Sequence, residues 1–543
     1  MQIIKNWIAK TYAKQLLYLL GLMILFGGLG VLMGQDCNFD LMNYHLYNGY
    51  AFLFRSATTD IMPAGIHTFF IPWLDVPYYL IFRWGMNWPH VAAFFQSVIY
   101  GVYAFILMHV CQLCLPHTDK TNRYDWLFAW SVGVFGAMGI SQINLSSGEI
   151  YEAVLLIGAV WAALYAYKVS ATARWLLVSI VLAALAFALK YTSAPFCVGV
   201  GAMVLYYWKV RHLPYRTLRL YIATGALVII LLDGWFWYKY WINFHNPLFP
   251  FFNEWFKSPY FEPVNLIDKR FFPTNFFTRI FLPLFWVHTT VEMGAEVLFV
   301  DCRWACGFIS FWALVSKWGY DAWHKKYPSA LQMGVIIFAG VGYLIWLKLF
   351  IILRYAVVLE GMLGVLIVWA LQSWLSARWK NIVLVGLVVL FGCSTMYPDW
   401  GKDAFAEKSL VLENFEDVPD HSLVLVQTQG LSYVLPFFNQ SASFVGGLKV
   451  FPEDYPTAVQ RMARRRNQQL PNFYDYHFEH DIQQKIQAHT GPVYLLTYYW
   501  PYALYPQALA RWGVRGDMQK CHIFNTSWNK YFEYMILCPL EKI

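Results

Sequence analysis

Two carboxylates and an imidazole stand close together in the stretch Gln35–Asn48, which reads Q-D-C-N-F-D-L-M-N-Y-H-L-Y-N. They are Asp36, Asp40 and His45. Two neighbouring carboxylates, partly desolvated, push one pKa upward. That is how a protein prepares a general acid or base near neutral pH. Asp36 and Asp40 are four residues apart, so on a helix they share a face. The plainer reading is a helix cap followed by a first-turn acid, favoured by the helix dipole. His45 either packs beneath this segment or orients a substrate.

Further ionisable groups stand where apolar segments end. Glu149 and Glu152 lie in N-L-S-S-G-E-I-Y-E, Lys190 in A-L-K-Y-T-S-A-P, and Arg354 in L-R-Y. A cation so placed can meet charge developing on a phosphate, and a guanidinium can do so with two parallel hydrogen bonds. It can also simply snorkel to the membrane surface. Glu149 and Glu152, one helical turn apart, can hold an acceptor or serve as first-turn acids. Together with Asp36 they offer oxygen ligands to a hard divalent cation such as Mg²⁺ or Mn²⁺. Arg461, Arg464, Arg465 and Arg466 form a basic run. Such a run is either a solvated helix surface or a face for anionic headgroups and glycans.

These groups need a scaffold, and the composition says which kind. Of 543 residues, 59% are hydrophobic, 20% aromatic and 13% charged. Soluble proteins are about 25% charged, so this is a polytopic α-helical membrane protein. Trp and Tyr in such numbers suit water–bilayer boundaries. The net charge of +8 comes from basic residues between apolar segments, where they orient a membrane protein and do not imply nucleic acid. The nine cysteines lack metal-ligand spacing. The first apolar run, Leu16 to Met33, is long enough to span a bilayer and reads as a retained helix, not a cleaved signal.

Lys5, Lys10 and Lys14 precede that run and place the N-terminus in the cytoplasm. Alternating the spans from there requires about eleven transmembrane helices. Every connector then placed inside carries at least two Lys or Arg, as the positive-inside rule demands. Gln35–Asn48, Glu149, Lys190 and Arg354 all fall on the outside. The segment up to Asn87 mixes charges, prolines and aromatics and reads as interfacial helices. A long outer segment runs from Tyr238 to Arg303, with Asn246 to Asn253 (N-P-L-F-P-F-F-N) as an interfacial hairpin.

The membrane part ends near residue 396, and residues 397–543 read as a small α/β domain on the extracytoplasmic face. S-L-V-L-V-Q-T and P-V-Y-L-L-T-Y look like buried strands, and 455–469 and 476–489 like helices. The runs 519–525 and 531–537 look like a final hairpin. Cys521 and Cys538 would lie on its adjacent strands, either as a disulfide, permitted in an oxidising compartment, or as two buried thiols.

D-L-M-N-Y-H-L, Asp40 to Leu46, resembles the first-outer-loop motif of the GT-C superfamily of membrane glycosyltransferases, in particular its dolichyl-phosphate-mannose-protein mannosyltransferase-like members. A-L-K-Y-T, N-P-L-F-P-F-F-N and L-R-Y resemble three further recurring stretches, in the same order along the chain. The resemblance implies an inverting glycosyltransferase. Its donor would be a polyprenyl-phosphate-linked sugar, and its acceptor a lipid, a surface glycan or a protein at the outer face of the inner membrane. It gives Asp40 the role of catalytic base. Asp36, His45, Glu149, Glu152, Lys190 and Arg354 would then surround the substrates. The chain departs from the family in S-S-G-E, where an aspartate-led motif is usual. A lipid-linked glycan transporter or flippase is the competing class, with an O-antigen polymerase or ligase as a neighbouring chemistry. A transporter would carry its polar groups mid-span and show an internal repeat. Neither is visible in the sequence.

Overall fold

The computed structural model describes all residues except 1, 56–58, 117–122, 170–172, 262, 269–270, 274, 289–292, 326–327, 428–429, 448–475, 499–508 and 529–533. The basic run at Arg461–Arg466 and the helix expected over 455–469 lie outside the described residues.

The chain is mostly helical, with a small sheet at its C-terminal end. The helices are α1 (Gln2–Leu32), α2 (Leu46–Phe54), α3 (Asp75–Trp84), α4 (Pro89–Cys114), α5 (Arg123–Val134), α6 (Ala137–Ser141), α7 (Glu149–Lys168) and α8 (Arg174–Leu189). They continue with α9 (Ala194–Val210), α10 (Tyr215–Phe244), α11 (Asn253–Phe256), α12 (Phe276–Ile280), α13 (Cys302–Trp323), α14 (Ala330–Leu349), α15 (Val357–Trp374) and α16 (Ala377–Ser394).

Among the described residues, seven helices are long and apolar enough to cross a membrane: α1, α4, α7, α10, α14, α15 with the turn before it, and α16. That is fewer than the eleven expected. The other four expected spans are helical, but α5 and α8 have only 12 and 16 residues, and α9, with 17, is at the lower limit. About 17–25 are needed to span unaided. Helix α13 has 22 residues but carries Arg303, Lys317 and Asp321. The long connector begins later than expected, because α10 continues to Phe244. The segment before Asn87 does fold as short helices, α3 and the turn Gly65–Phe69.

Helix α15 is buried on all sides from Val357 to Ala370, as expected for a helix that is apolar all round. Close backbone approach holds other pairs. A Cβ added to Gly101 on α4 would lie 2.5 Å from Met23 Cα on α1. Small residues at such crossings let helices pack where lipid offers no hydrophobic drive.

At the bundle end away from the sheet, Lys380 Nζ pairs with Asp125 Oδ2, which also accepts from Gln372 Nε2 at 3.0 Å. Both charged side chains are almost fully buried. Removing one partner of a buried pair typically costs about 3–5 kcal/mol, because the other charge is stranded. Lys380→Met should therefore lower stability by about that amount, and adding Asp125→Asn should restore most of it. Thermal unfolding in detergent micelles tests this, and an unaltered melting temperature in Lys380→Met would refute it.

The C-terminal sheet has strands β3 (Leu412–Glu413), β4 (Leu423–Val426), β5 (Ser443–Val445), β6 (Val493–Tyr498), β7 (Val514–Gly516), β8 (His522–Thr526) and β9 (Met535–Lys542). Their order is β3-β8-β9-β6-β4-β5, with β7 also on β9. Strand β4 pairs in parallel with β5 and β6. It is buried throughout, which is why L-V-L-V reads as an unbroken apolar run. The helix Tyr476–Ala488 lays Phe478, Ile482 and Ile486 inward at helical spacing. Cys521 and Cys538 form a disulfide, so the pairing that spacing left open is made.

This sheet shares its core with the first loop. Tyr47, Tyr50 and Phe82 pack in one cluster with Tyr433, Phe444 and Trp528. Arg55 and Asp60, which read as interfacial charges, form a buried clasp instead. Arg55 Nη2 meets Asp60 Oδ1 at 2.7 Å and the Ala442 carbonyl at 2.7 Å. Phe444 N donates to Asp60 Oδ1 at 2.9 Å. A short ladder pairs β1 (Gln35–Asp36) with β2 (Lys402–Asp403).

Candidate active site

Asp40 opens the helical segment that leads into α2. Its first turn, Leu41–His45, is wound wide, in π fashion, and is buried throughout. The C-terminal domain presses on this turn: Ser432 Oγ donates to the Asn43 carbonyl, and Gly430 N donates to Asn43 Oδ1 at 3.0 Å. Such turns cost regular hydrogen bonding and gather at functional sites.

Glu149 and Glu152 occupy the first turn of α7, behind Gly148 at φ +84°. That left-handed conformation suits a residue without a Cβ. Lys190 ends α8 in an extended conformation, and Pro195 starts α9 soon after. The break lets Lys190 leave the helical path. Its Nζ reaches the Ser147 carbonyl at 2.6 Å, Glu149 Oε1 at 3.0 Å and Glu152 Oε1 at 3.8 Å. Arg354 lies on a single tight turn, Leu353–Ala356, just before α15. Leu353 N donates to the Gly294 carbonyl at 2.7 Å, which ties in the loop carrying Glu296.

These elements meet at Arg354. Its Nη1 and Nη2 both donate to Asp40 Oδ2 at 3.1 Å. Its Nε lies 3.0 Å from Glu296 Oε2 and 3.5 Å from Glu149 Oε1. Tyr355 lies under both cations, 5.4 Å from Lys190 and 5.5 Å from Arg354, and Trp400 is 5.5 Å from Arg354. Four carboxylates thus face two cations. Exposure separates their roles. The side chains of Asp40 and Glu296 are 27% and 24% exposed, whereas Glu149 and Glu152 are at 1% and 5%. A substrate can reach the first two; the others brace the cations from behind.

Burial alone would raise the pKa of Asp40, but Arg354, helped by His45 and His67, outweighs it and holds the carboxyl below its ordinary value. Burial would likewise lower Lys190, and the carboxylates of Glu149 and Glu152 hold it above its ordinary value instead. Both guanidinium contacts on Asp40 go to Oδ2, which leaves Oδ1 for an incoming hydroxyl.

Asp36 stands apart. It lies on β1, not on the helical segment of Asp40, so the two aspartates do not share a helical face. Its oxygens accept from Ser146 N at 2.7 Å, Asn38 Nδ2 at 2.6 Å and Asn38 N at 3.0 Å. Burial raises its pKa despite those hydrogen bonds. It joins the first loop to the loop before α7. The oxygen set imagined from Asp36, Glu149 and Glu152 does not assemble: among the described residues no three His, Cys, Asp or Glu side chains are grouped to hold a metal ion. His45 is buried against Asp75, with Nδ1 2.6 Å from Asp75 Oδ1.

Glu296, Asp75, Tyr355 and Trp400 were not foreseen as site residues. Tyr355 alone had a signal, as the neighbour of Arg354 in L-R-Y. Glu296 sits in a connector with no periodicity and no motif, and only the chain's folding reveals it. No protein-family model, curated protein or solved structure matches this chain.

Proposed function

We propose that the protein is a membrane glycosyltransferase that moves a sugar from a polyprenyl-phosphate-linked donor to a lipid, glycan or protein acceptor of the cell envelope. The observation that carries this reading is the partly exposed Asp40 paired to Arg354, beside a second cation, Lys190, where helix ends meet the C-terminal domain. Asp40 Oδ1 takes the proton of the acceptor hydroxyl. Arg354 and Lys190 meet the charge left on the lipid phosphate. A membrane-borne donor explains why such a site belongs to an apolar helical bundle. The N-terminus then lies in the cytoplasm, and the site and C-terminal domain on the extracytoplasmic face of the inner or plasma membrane.

The competing transporter reading would need free ionisable groups mid-span. Glu360, in the first turn of α15, is held by Met138 N, Gly139 N and Trp304 Nε1, and Asp233, within α10, accepts from Trp73 Nε1 at 3.3 Å. Purified protein supplied with a panel of polyprenyl-phosphate hexoses and pentoses and extracted envelope glycolipids should transfer label to the acceptor fraction. Movement of intact lipid-linked sugar across vesicles without any transfer would overturn the proposal.

A further inference from the structure

Every nitrogen of the Arg354 guanidinium faces a carboxylate oxygen. Asp40 Oδ2 accepts from Nη1 and Nη2 at 3.1 Å. Glu296 lies along a second edge: its Oε1 accepts from Nη2 at 3.3 Å, and its Oε2 lies 3.0 Å from Nε. Two oxygens set against two nitrogens of one edge is also how a guanidinium takes a phosphate. A donor phosphate reaching Arg354 must therefore take the place of a carboxylate. The carboxylates there differ in freedom. Glu149 is 1% exposed and keeps Lys190 at 3.0 Å. Asp40 has a short side chain at the head of a buried turn that the C-terminal domain pins, and as the proposed base it must stay. Glu296 is 24% exposed and has the longer, more freely rotating side chain. Its backbone is anchored on both sides: Trp286 Nε1 donates to the Met293 carbonyl at 2.8 Å, and Val300 and Met396 exchange backbone hydrogen bonds at 2.9 and 3.1 Å. Rotation of the side chain alone can carry this carboxylate to solvent.

We propose that Glu296 competes with the donor phosphate for Arg354. Its carboxylate holds that edge of the guanidinium between turnovers and swings out when the phosphate arrives. The inference rests on the glycosyl-transfer reading and says how that site takes and releases its lipid. Charge favours an exchange over an addition. A sugar joined to a polyprenol through one phosphate is a diester with a single negative charge, the same as Glu296. Swapping one for the other leaves the balance around Arg354 and Lys190 unchanged. Adding the phosphate beside Asp40, Glu149 and Glu296 would instead bring like charges together. After transfer the lipid phosphate is a monoester, with a charge of about −1.5 to −2 at pH 7. It holds Arg354 more tightly than the donor did, and the return of Glu296 to its edge helps to displace it. The exchange lowers affinity, because a ligand that binds only the unblocked fraction of a protein is weakened by that fraction.

The test is direct binding of farnesyl phosphate, a short polyprenyl phosphate, to the full-length protein in detergent micelles, with farnesol as the uncharged control. Each variant is checked for folding by gel filtration and thermal unfolding. Glu296→Gln should tighten farnesyl phosphate binding roughly tenfold, the gain expected if Arg354 is unblocked about a tenth of the time. Farnesol binding should not change. In the transfer assay the donor KM should fall by a similar factor, and inhibition by the product lipid phosphate should strengthen. Structural damage alone would weaken binding, not tighten it. Glu296→Asp keeps the charge but falls a methylene short of Arg354, so it too should bind more tightly. It also guards against a glutamine variant that fails to fold. Over Arg354→Ala, Glu296→Gln should bring no gain. Unchanged or weaker phosphate binding in folded Glu296→Gln overturns the inference, as does an equal gain for farnesol. So does wild-type affinity in Glu296→Asp, which would assign the effect to charge alone, or a gain that persists without Arg354. Absence of sugar transfer by the wild-type protein overturns the glycosyl-transfer reading, whereas a missing binding gain while transfer proceeds overturns this inference alone.

Discussion

Asp40→Asn should abolish sugar transfer, lowering the rate by roughly 10²–10⁴-fold, the usual contribution of general-base catalysis. The amide keeps the shape of the carboxylate but cannot take a proton at neutral pH. The fold should survive. Arg354 still has Glu296 and Glu149 as partners, and the Asp40 side chain is partly exposed, so the lost ion pair is screened by solvent. Transfer assays alongside thermal unfolding check both halves. Full activity in a folded Asp40→Asn protein would remove the residue from the chemistry.

Arg354→Ala should act on donor use, on pH response and on stability together. The guanidinium is 11% exposed and stands among three carboxylates. Deleting it removes a cation the three share. Glu149 keeps Lys190 at 3.0 Å, and the partly exposed Asp40 and Glu296 are screened by solvent, so the loss should be smaller than for a fully buried pair. The donor KM should rise, since one of two cations at the proposed phosphate site is gone. The pH effect has a definite sign. Arg354 depresses the pKa of Asp40, so without it Asp40 protonates at higher pH, and the acid limb of the rate profile moves upward. The stability that Asp40 contributes follows the same linkage. It is present above the unfolded carboxylate pKa and is lost as pH falls through the depressed folded value. Arg354→Lys keeps one charge but not the two-pronged donor geometry. It should fold nearly normally and still bind donor poorly. An unchanged donor KM in Arg354→Ala, with the acid limb in place, would contradict the assignment.

Much of the helical scaffold was legible because apolar periodicity and length act locally. A run such as Pro89–Cys114 has nowhere to go but a long apolar helix, and L-V-L-V in β4 nowhere but a buried strand. The number of spans was less legible. Residues within α5, α8 and α9 are apolar enough to suggest crossings, yet helix length depends on where the neighbours force a break, as at Lys190. Helix α13 is long enough but carries charges.

The site divides along the same line. The identities and the shared grouping of Asp40, Glu149, Lys190 and Arg354 followed from the sequence, because each stands at the edge of an apolar segment, where a charge is costly without a purpose. Which of them touch was decided by tertiary structure alone. A spacing of four suggested that Asp36 backs Asp40; a strand pairing with Lys402–Asp403 takes Asp36 away, and Arg354 is the partner that Asp40 finds. Glu296 reaches Arg354 only because Leu353 binds the Gly294 carbonyl across a long loop. Sequence patterns record which residues a helix or strand must bury, since that is a property of neighbours along the chain. The partner of a charge is a property of neighbours in space, and only folding supplies those.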